Sequence, residues 1–373
     1  MAEVDDVTLS VNGQEFAWWQ NVQITTNLQN YCRTFTVGLT RDLSSEYVQS
    51  ISLKLGDEVE VSIGEDLVLS GYITNVQQSY SATGVSLTVS GASYTVDLCD
   101  CTLPLSAKHS FKKQTVAQII ESLATHYAVN VVDLLQSEEK IDLDVSPFDE
   151  IKRTLDGLIK EQSILLTDDA EGNIVITTAG RGGDCFDSLV TGVNILNGSR
   201  NASQREIFSE YVVLAQAKNS ASEQPVTSNQ LSASASNYDM RQRVRVVQQD
   251  GTPNRAQITK RAQLLRDYSS GKSESLTYTV QGWRQSNGSL WTPNSMVHVV
   301  DPILEVFGDY VISSVTYGKS ESGTTTSIQC VPLSTYLNTE MKDSSSAVKK
   351  SANEKNYSFV KKGNTEDAKW TTQ

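Results

Sequence analysis

Few residues in this chain offer chemistry at a workable spacing. Cys99-Asp-Cys101 places two thiols close together. Zinc normally takes four ligands, and no Cys or His cluster supplies the others, so no metal site is expected there. Only three His occur, His109, His126 and His298, none beside a Cys and none in an HxxxH or HExxH pattern. Asp168, Asp169 and Glu171 crowd three carboxylates into one turn. They lack the alternating oxygen ligands and closing Glu of a calcium loop, so a solvated turn is expected. Gly180-Arg-Gly-Gly183 is glycine-rich without the strand-loop-helix setting of a phosphate cradle. Asp149 and Glu150 stand where a helix begins and suit the positive end of its macrodipole. There is no GxSxG elbow and no P-loop. A peptidoglycan hydrolase would have to draw its carboxylate pair from residues 102–186, with a separation that sequence does not display. The expectation is a non-enzyme without catalytic residues, cofactor or metal.

Recognition chemistry is better represented. Arg241-Gln-Arg243-Val-Arg245-Val-Val247 reads as a strand with Arg241, Arg243 and Arg245 on one face. In an acidic protein such a stripe suits carboxylates on a neighbouring subunit. Trp18, Trp19, Trp283 and Trp291 allow two readings. Exposed, they would serve a carbohydrate-binding adhesin; buried, they would anchor barrel corners or subunit contacts.

The whole chain sets bounds on these readings. Its 373 residues suffice for two or three domains with proper cores. A net charge of −13 and a pI near 4.8 argue against phosphate-driven nucleic-acid binding and against docking on anionic lipid. They are compatible with a lumen that DNA passes without sticking. Mean hydropathy is −0.31 and no apolar run is long enough to span a bilayer. The first residues, MAEVDDVTLS, lack the basic and apolar regions of a signal peptide, so synthesis in a cytoplasm is expected. The five Cys are scattered and odd in number, which argues against a disulfide framework.

The elements that would position any site are mostly strands. Leu55 to Gly91 reads LGDEVEVSIGEDLVLSGYITNVQQSYSATGVSLTVSG, and Trp291 to Val331 repeats its plan. Val59/Val61 answer Val297/Val299, and Gly71 answers Gly308. Tyr72-Ile73 with Val76 answers Val311-Ile312 with Val315, and Leu87/Val89 answer Ile328/Cys330. Period-two alternation marks strands with one buried face, and Gly-rich connections mark hairpins. The fold class is therefore mainly β (α+β): two similar antiparallel β-barrel domains with an inserted small α/β domain.

The expected domains are 1–100 (barrel), 101–186 (α/β insert), 187–336 (second barrel) and 337–373 (flexible tail). Asn12-Gly13 signals a tight hairpin, with Phe16-Ala-Trp18-Trp19 as its return strand. In the insert, helices are expected at Thr115–Tyr127 and Phe148–Gln162, and a hairpin runs from Ile164 to Ile176 through the acidic turn. The second barrel carries a Ser-rich arm (218–237) and one helix (254–268), with Ile258, Ala262 and Leu265 on one face. Tyr357 to Thr365 is a fragmentary likeness to a LysM start, too near the end of the chain for its helices.

Taken in order, several stretches resemble the baseplate hub protein of Mu-like contractile-tailed bacteriophages, a relative of the T4-type hub and of the N-terminal part of VgrG. They are Val11-Asn-Gly13 with Trp18-Trp19, Gly56-Asp57, Gly71-Tyr72-Ile73, and Gly91 through Cys101. Leu165 through Ile176, Glu210-Tyr211, Arg243-Val-Arg245, Gly282-Trp283-Arg284 and Leu290-Trp291 with Asn294 complete the set. The likeness runs over residues 7–335. Ala92-Ser93 and Ser146-Pro147 depart from the family pattern. What the resemblance implies is a homotrimeric ring with pseudo-sixfold symmetry, joining a sixfold tail tube to a threefold central spike around a DNA channel. It implies contact with tube, spike and baseplate wedge proteins and with a tape measure protein, and a place in the virion tail baseplate after assembly in the host cytoplasm. A phage-tail-like bacteriocin or type VI-like secretion system would use an equivalent component.

Overall fold

The computed structural model describes residues 6–28, 30–42, 53–82, 84–162, 164–205, 207–216, 230–237, 240–249, 255–272 and 274–336. The chain opens with β1 (Val7–Val11), β2 (Gln14–Phe16), β3 (Asn21–Asn27) and β4 (Thr34–Asp42). Asn12 and Gly13, at φ of 52° and 77°, make the tight β1–β2 turn. The return strand ends at Phe16, because Trp18 lies in the left-handed region at φ 64°. Then come β5 (Glu58–Ile63), β6 (Asp66–Tyr80) and β7 (Gly84–Ser93). Gly91 is required where β4, β6 and β7 cross, since a Cβ there would sit 2.3 Å from the Tyr72 carbonyl and 2.4 Å from the Phe35 ring.

A short helix α1 (Val96–Asp100) leads into the α/β insert, so Cys99 lies on a helix and Cys101 caps it. The insert comprises β8 (Ser110–Thr115), α2 (Val116–Ala124), β9 (Val131–Asp133), β10 (Lys140–Asp144), α3 (Ile151–Gln162), β11 (Leu165–Asp168) and β12 (Ile174–Thr177). Thr115 and Gln118 form a reciprocal capping box that starts α2. The buried stripe of α2 (Val116, Ile119, Ile120, Leu123) meets Ile151, Leu155 and Leu158 of α3 in a core of its own.

The acidic turn differs from its reading in one residue. Asp168 is 3% exposed rather than solvated. It accepts from the Arg33 amide at 2.8 Å, Arg33 Nε at 3.3 Å and the Ser93 hydroxyl at 2.7 Å. Burial pushes its pKa up, against the opposing pull of Arg33 and Ser93. Arg33 also donates to the Asp168 carbonyl at 2.9 Å and to the Val68 carbonyl at 2.7 Å. One guanidinium thus ties the insert to the first β unit. Asp169 keeps the turn closed by accepting from the Asn173 amide and side chain, both at 2.8 Å.

Beyond the insert lie β13 (Leu189–Val190) and β14 (Ile195–Ala202), then β15 (Glu210–Gln216), β16 (Gln230–Ser236), β17 (Val244–Gln249) and α4 (Arg255–Lys272). The expected arm overlaps β16: Leu231, Ala233 and Ala235 alternate with Ser, and small side chains pair with β15 as a strand. The rest of 218–229 lies outside the described residues, as does the tail 337–373 with its LysM-like stretch. Helix α4 seats Ile258 and Ala262 on Val213, Ala215 and Ala235. The chain closes with β18 (Glu274–Gln281), β19 (Met296–Asp301), β20 (Val306–Ser320) and β21 (Gly323–Pro332).

Among the described residues the two β units form one 13-stranded sheet, in the order β14-β18-β21-β20-β3-β4-β7-β6-β5-β1-β2, with β19 and β13 on a branch. No pairing in that path closes either unit on itself. They share one core, from Val7, Leu9 and Ile24 through to Ile312, Val315 and Ile328.

Replacing Asp168 by Ala leaves the largely buried Arg33 guanidinium without its carboxylate, with only carbonyl partners remaining. The expected cost is about 3–5 kcal/mol in denaturant unfolding. Replacing Asp66, which meets Arg284 at 2.5 Å but is half exposed, should cost no more than about 1 kcal/mol.

Candidate assembly interface

The repeat is real at the level of register. The meanders β5–β6–β7 and β19–β20–β21 both have strands of 6, 15 and 10 residues. In the first, Ile73 faces Gly91 and the ladder shifts before Asn75. In the second, Ile312 faces Cys330 and the ladder shifts before Ser314. Gly91 therefore corresponds to Cys330, and Val89 to Ile328. The sequence pairing of Val89 with Cys330 was displaced by one alternation, and so was that of Gly71 with Gly308. A slide of two residues leaves every side chain on the same face, so alternation alone cannot detect it.

The correspondence extends to the hairpins. β4 lies on β7 as β18 lies on β21, and β3 lies on β4 as β14 lies on β18. Phe35 then matches Leu276, and Ile24 matches Arg200. Each unit is the same five-strand order: β3-β4-β7-β6-β5 and β14-β18-β21-β20-β19.

The units join where β3 lays its free edge on the far half of β20, Asn27–Val22 against Ser314–Lys319. Leu28 N donates to the Ser313 carbonyl at 2.9 Å, and the Thr25 and Thr316 hydroxyls meet across the joint at 3.1 Å. Ile24 and Val315 are fully buried beneath it. Lys319 reaches Asp6 at 3.1 Å, and Arg284 reaches Asp66 and the Ile63 carbonyl.

The four tryptophans among the described residues divide three to one: Trp19, Trp283 and Trp291 are buried, and Trp18 is exposed. Trp19 donates to the Phe16 carbonyl and Trp283 to the Gly318 carbonyl. Anchoring is thus the role of three of them, and the adhesin reading loses its platform.

Of the arginine stripe, only Arg245 lies within β17; Arg241 and Arg243 precede it. Arg243 donates to the carbonyls of Gln204 and Arg205, and its guanidinium stacks 4.8 Å from the Phe208 ring. Arg245 lies 5.6 Å from the same ring. Arg241 is exposed.

An open cleft of about 230 Å³ in the insert is lined by Asp144, Asp149 and Arg153 among others. Arg153 holds Asp149 at 2.8 Å. Hydrogen bonds from Ser110 and Lys112, with the Lys112 charge, hold Asp144 below the usual carboxylate range. A general acid needs its pKa moved the other way. The described residues contain no group of three His, Cys, Asp or Glu that could hold a metal.

Trp19→Ala should cost about 3–5 kcal/mol in unfolding free energy, whereas Trp18→Ala should cost less than about 1 kcal/mol. Equal losses would contradict the division of roles.

Three stretches of the chain match known protein-domain models. Residues 6–93 match the model of the N-terminal domain of Mu phage baseplate assembly protein GpP-like proteins. Residues 95–178 match the second domain of baseplate hub protein gp44-like proteins, and 253–339 the fourth domain of Mu phage GpP. The chain is 27% identical over 309 residues to baseplate hub protein gp44 of Escherichia phage Mu, covering 79% of this chain and 78% of that one. The 43 kDa tail protein of prophage MuSo2 from Shewanella oneidensis superposes with a TM-score of 0.80 at 26% identity, over 90% of this chain and all of the other. A tail protein from Neisseria meningitidis gives 0.77 at 20% identity, over 90% and 99% of the two chains. Domain order, register and these relatives agree: the chain belongs to the family of Mu-like phage baseplate hub proteins.

Proposed function

We propose that this chain is a structural baseplate hub of a contractile tail, acting as a homotrimeric ring. Each chain would contribute two equivalent β units, so three chains present six similar positions. Such a ring meets a sixfold tail tube on one side and a threefold central spike on the other without leaving half of either interface unpaired. The observation that carries this reading is the duplicated five-strand unit, matched in order and register at both ends of the chain. The acidic balance of −13 suits a channel that DNA crosses without binding.

In this reading the protein works by fit, with no catalytic step, cofactor or metal. Asp144, held below the usual carboxylate range, and the Arg153–Asp149 ion pair support that reading. Tube, spike, wedge and tape measure proteins are the partners, and the virion tail, assembled in the host cytoplasm, is the place of action. Arg241, Arg243 and Arg245 serve as a subunit contact, with Arg243 also bracing its own loop. Capsid and terminase genes beside this one would distinguish a phage from a phage-tail-like bacteriocin or secretion apparatus.

Native mass spectrometry of the concentrated protein should find three times the 40.9 kDa chain mass. A strict monomer at every concentration would count against the ring. Purified peptidoglycan should be left intact in zymography, and a cleared band would overturn the non-catalytic reading.

A further inference from the structure

The connection between β3 and β4 lays three consecutive residues of the first β unit on the insert. Tyr31 is fully buried in the insert's core, with its hydroxyl on the Lys152 carbonyl at 3.3 Å and the Lys152 ammonium 4.5 Å from its ring. Its φ of 28° lies outside the regions that a bulky residue prefers, so a costly backbone angle is held to place that ring. Arg33 meets Asp168 of β11 at 3.3 Å. Cys32, between them, meets Cys99 of α1. The thiol pair is the one part of this strap that can change covalently.

The geometry of α1 creates the encounter. Thr95 caps the helix with helical backbone angles, and Cys99 follows one turn later on the same face. Thr95 Oγ1 lies 2.7 Å from Ser93 Oγ, and Ser93 Oγ lies 3.7 Å from Cys32 Sγ. The Cys99 thiol, 3.8 Å from the Asn30 carbonyl, hydrogen-bonds to Cys32 beside this ledge. Both cysteines are half-buried, so a small oxidant reaches them while neither is freely solvated. Cys101 is turned toward Tyr127 instead, and Cys185 and Cys330 pack in the core of the β units.

We propose that Cys32 and Cys99 form a redox clasp, open as two thiols under reducing conditions and closed by hydrogen peroxide to a disulfide that fastens the α/β insert to the first β unit. Cys32 is the attacking sulfur. The hydrogen bond from Cys99 lowers its pKa against the opposing effect of burial, while donating that bond raises the pKa of Cys99. The Cys32 thiolate attacks one peroxide oxygen and breaks the O–O bond. A sulfenic acid forms, and the hydroxide released takes up the proton that Cys32 gave away. The Cys99 sulfur then displaces the sulfenic hydroxyl, which leaves as water with the Cys99 proton. Two thiols are oxidised to one disulfide, and one peroxide is reduced to two waters. The new bond closes the chain from Cys32 to Cys99 around the whole of β4 to β7 and anchors α1 to the strap. Both sulfurs belong to one chain, so the clasp does not depend on the ring reading.

Peptide mapping of the full chain tests the clasp. Reduced protein, freed of reductant and given stoichiometric hydrogen peroxide, should lose two of its five free thiols. Digestion should yield one linked pair of peptides, carrying Cys32 and Cys99. The thermal unfolding midpoint should rise by roughly 4–8 °C and fall back when dithiothreitol is added. Cys99→Ser should abolish both the link and the rise, whereas Cys101→Ser should keep both. Thiols that persist at Cys32 and Cys99, a sulfinic acid at Cys32, or a link from either to Cys101 or to a second chain overturns the clasp. A Cys32–Cys99 bond that leaves the midpoint unchanged overturns the fastening. If Cys99→Ser does not fold, the map of the unaltered chain decides alone. Monomer and trimer give the same readout, so failure here leaves the ring reading standing.

Discussion

The backbone joint between β3 and β20 is the constraint on which the rest of the architecture depends. It brings residues nearly three hundred positions apart into one ladder, as in the Thr25–Thr316 contact. Strand edges are costly to leave open, because each presents a row of unpaired donors and acceptors. Here one unit satisfies the edge of the other and the two pool their apolar faces into a single core. The connection fixes their relative placement through hydrogen bonds in register, with Arg284–Asp66 and Lys319–Asp6 at its margins. Two β units that would otherwise be beads on a string become one rigid span.

The other parts hang from that span by fewer but specific contacts. The α/β insert has its own core, and its tie to the first unit runs through Arg33, Ser93 and buried Asp168. A buried ion pair adds little net stability compared with an apolar contact, yet breaking it is expensive. Such a pair suits a place where the geometry between two packed bodies matters. The small sheet β16-β15-β17 with α4 is inserted between β14 and β18, that is, into the hairpin opposite the one formed by β3 and β4. The two units share one strand order, and the parts that differ between them lie in the connections.

Much of this was legible from residue patterns. Alternation found the long strands, the α2 and α3 stripes marked their helices, and the ordered motifs identified the hub family. Parity is where the pattern failed. Val89 and Cys330 share a face with their true counterparts, so the repeat was read one alternation out of register. Asp168 failed differently. Its neighbours Asp169 and Glu171 make an acidic turn, and only the tertiary approach of Arg33 takes Asp168 out of water. The stripe of arginines was likewise read as a strand, whereas Arg243 is held before the strand begins by Phe208 and two carbonyls. None of these contacts is local, and a single sequence does not list its distant neighbours. The sheet joint itself was invisible for the same reason, since nothing in β3 or β20 names the other.

A chain that repeats its own five-strand unit carries two similar surfaces in one rigid sheet. Under the proposed hub function, a span with two similar halves would let three copies fill six positions. The most direct measurement is a cryo-EM reconstruction of the purified, concentrated protein. The account predicts a closed ring in which six similar β units follow one another at equal steps. A particle in which the two units of a chain occupy unrelated positions about the axis would contradict it.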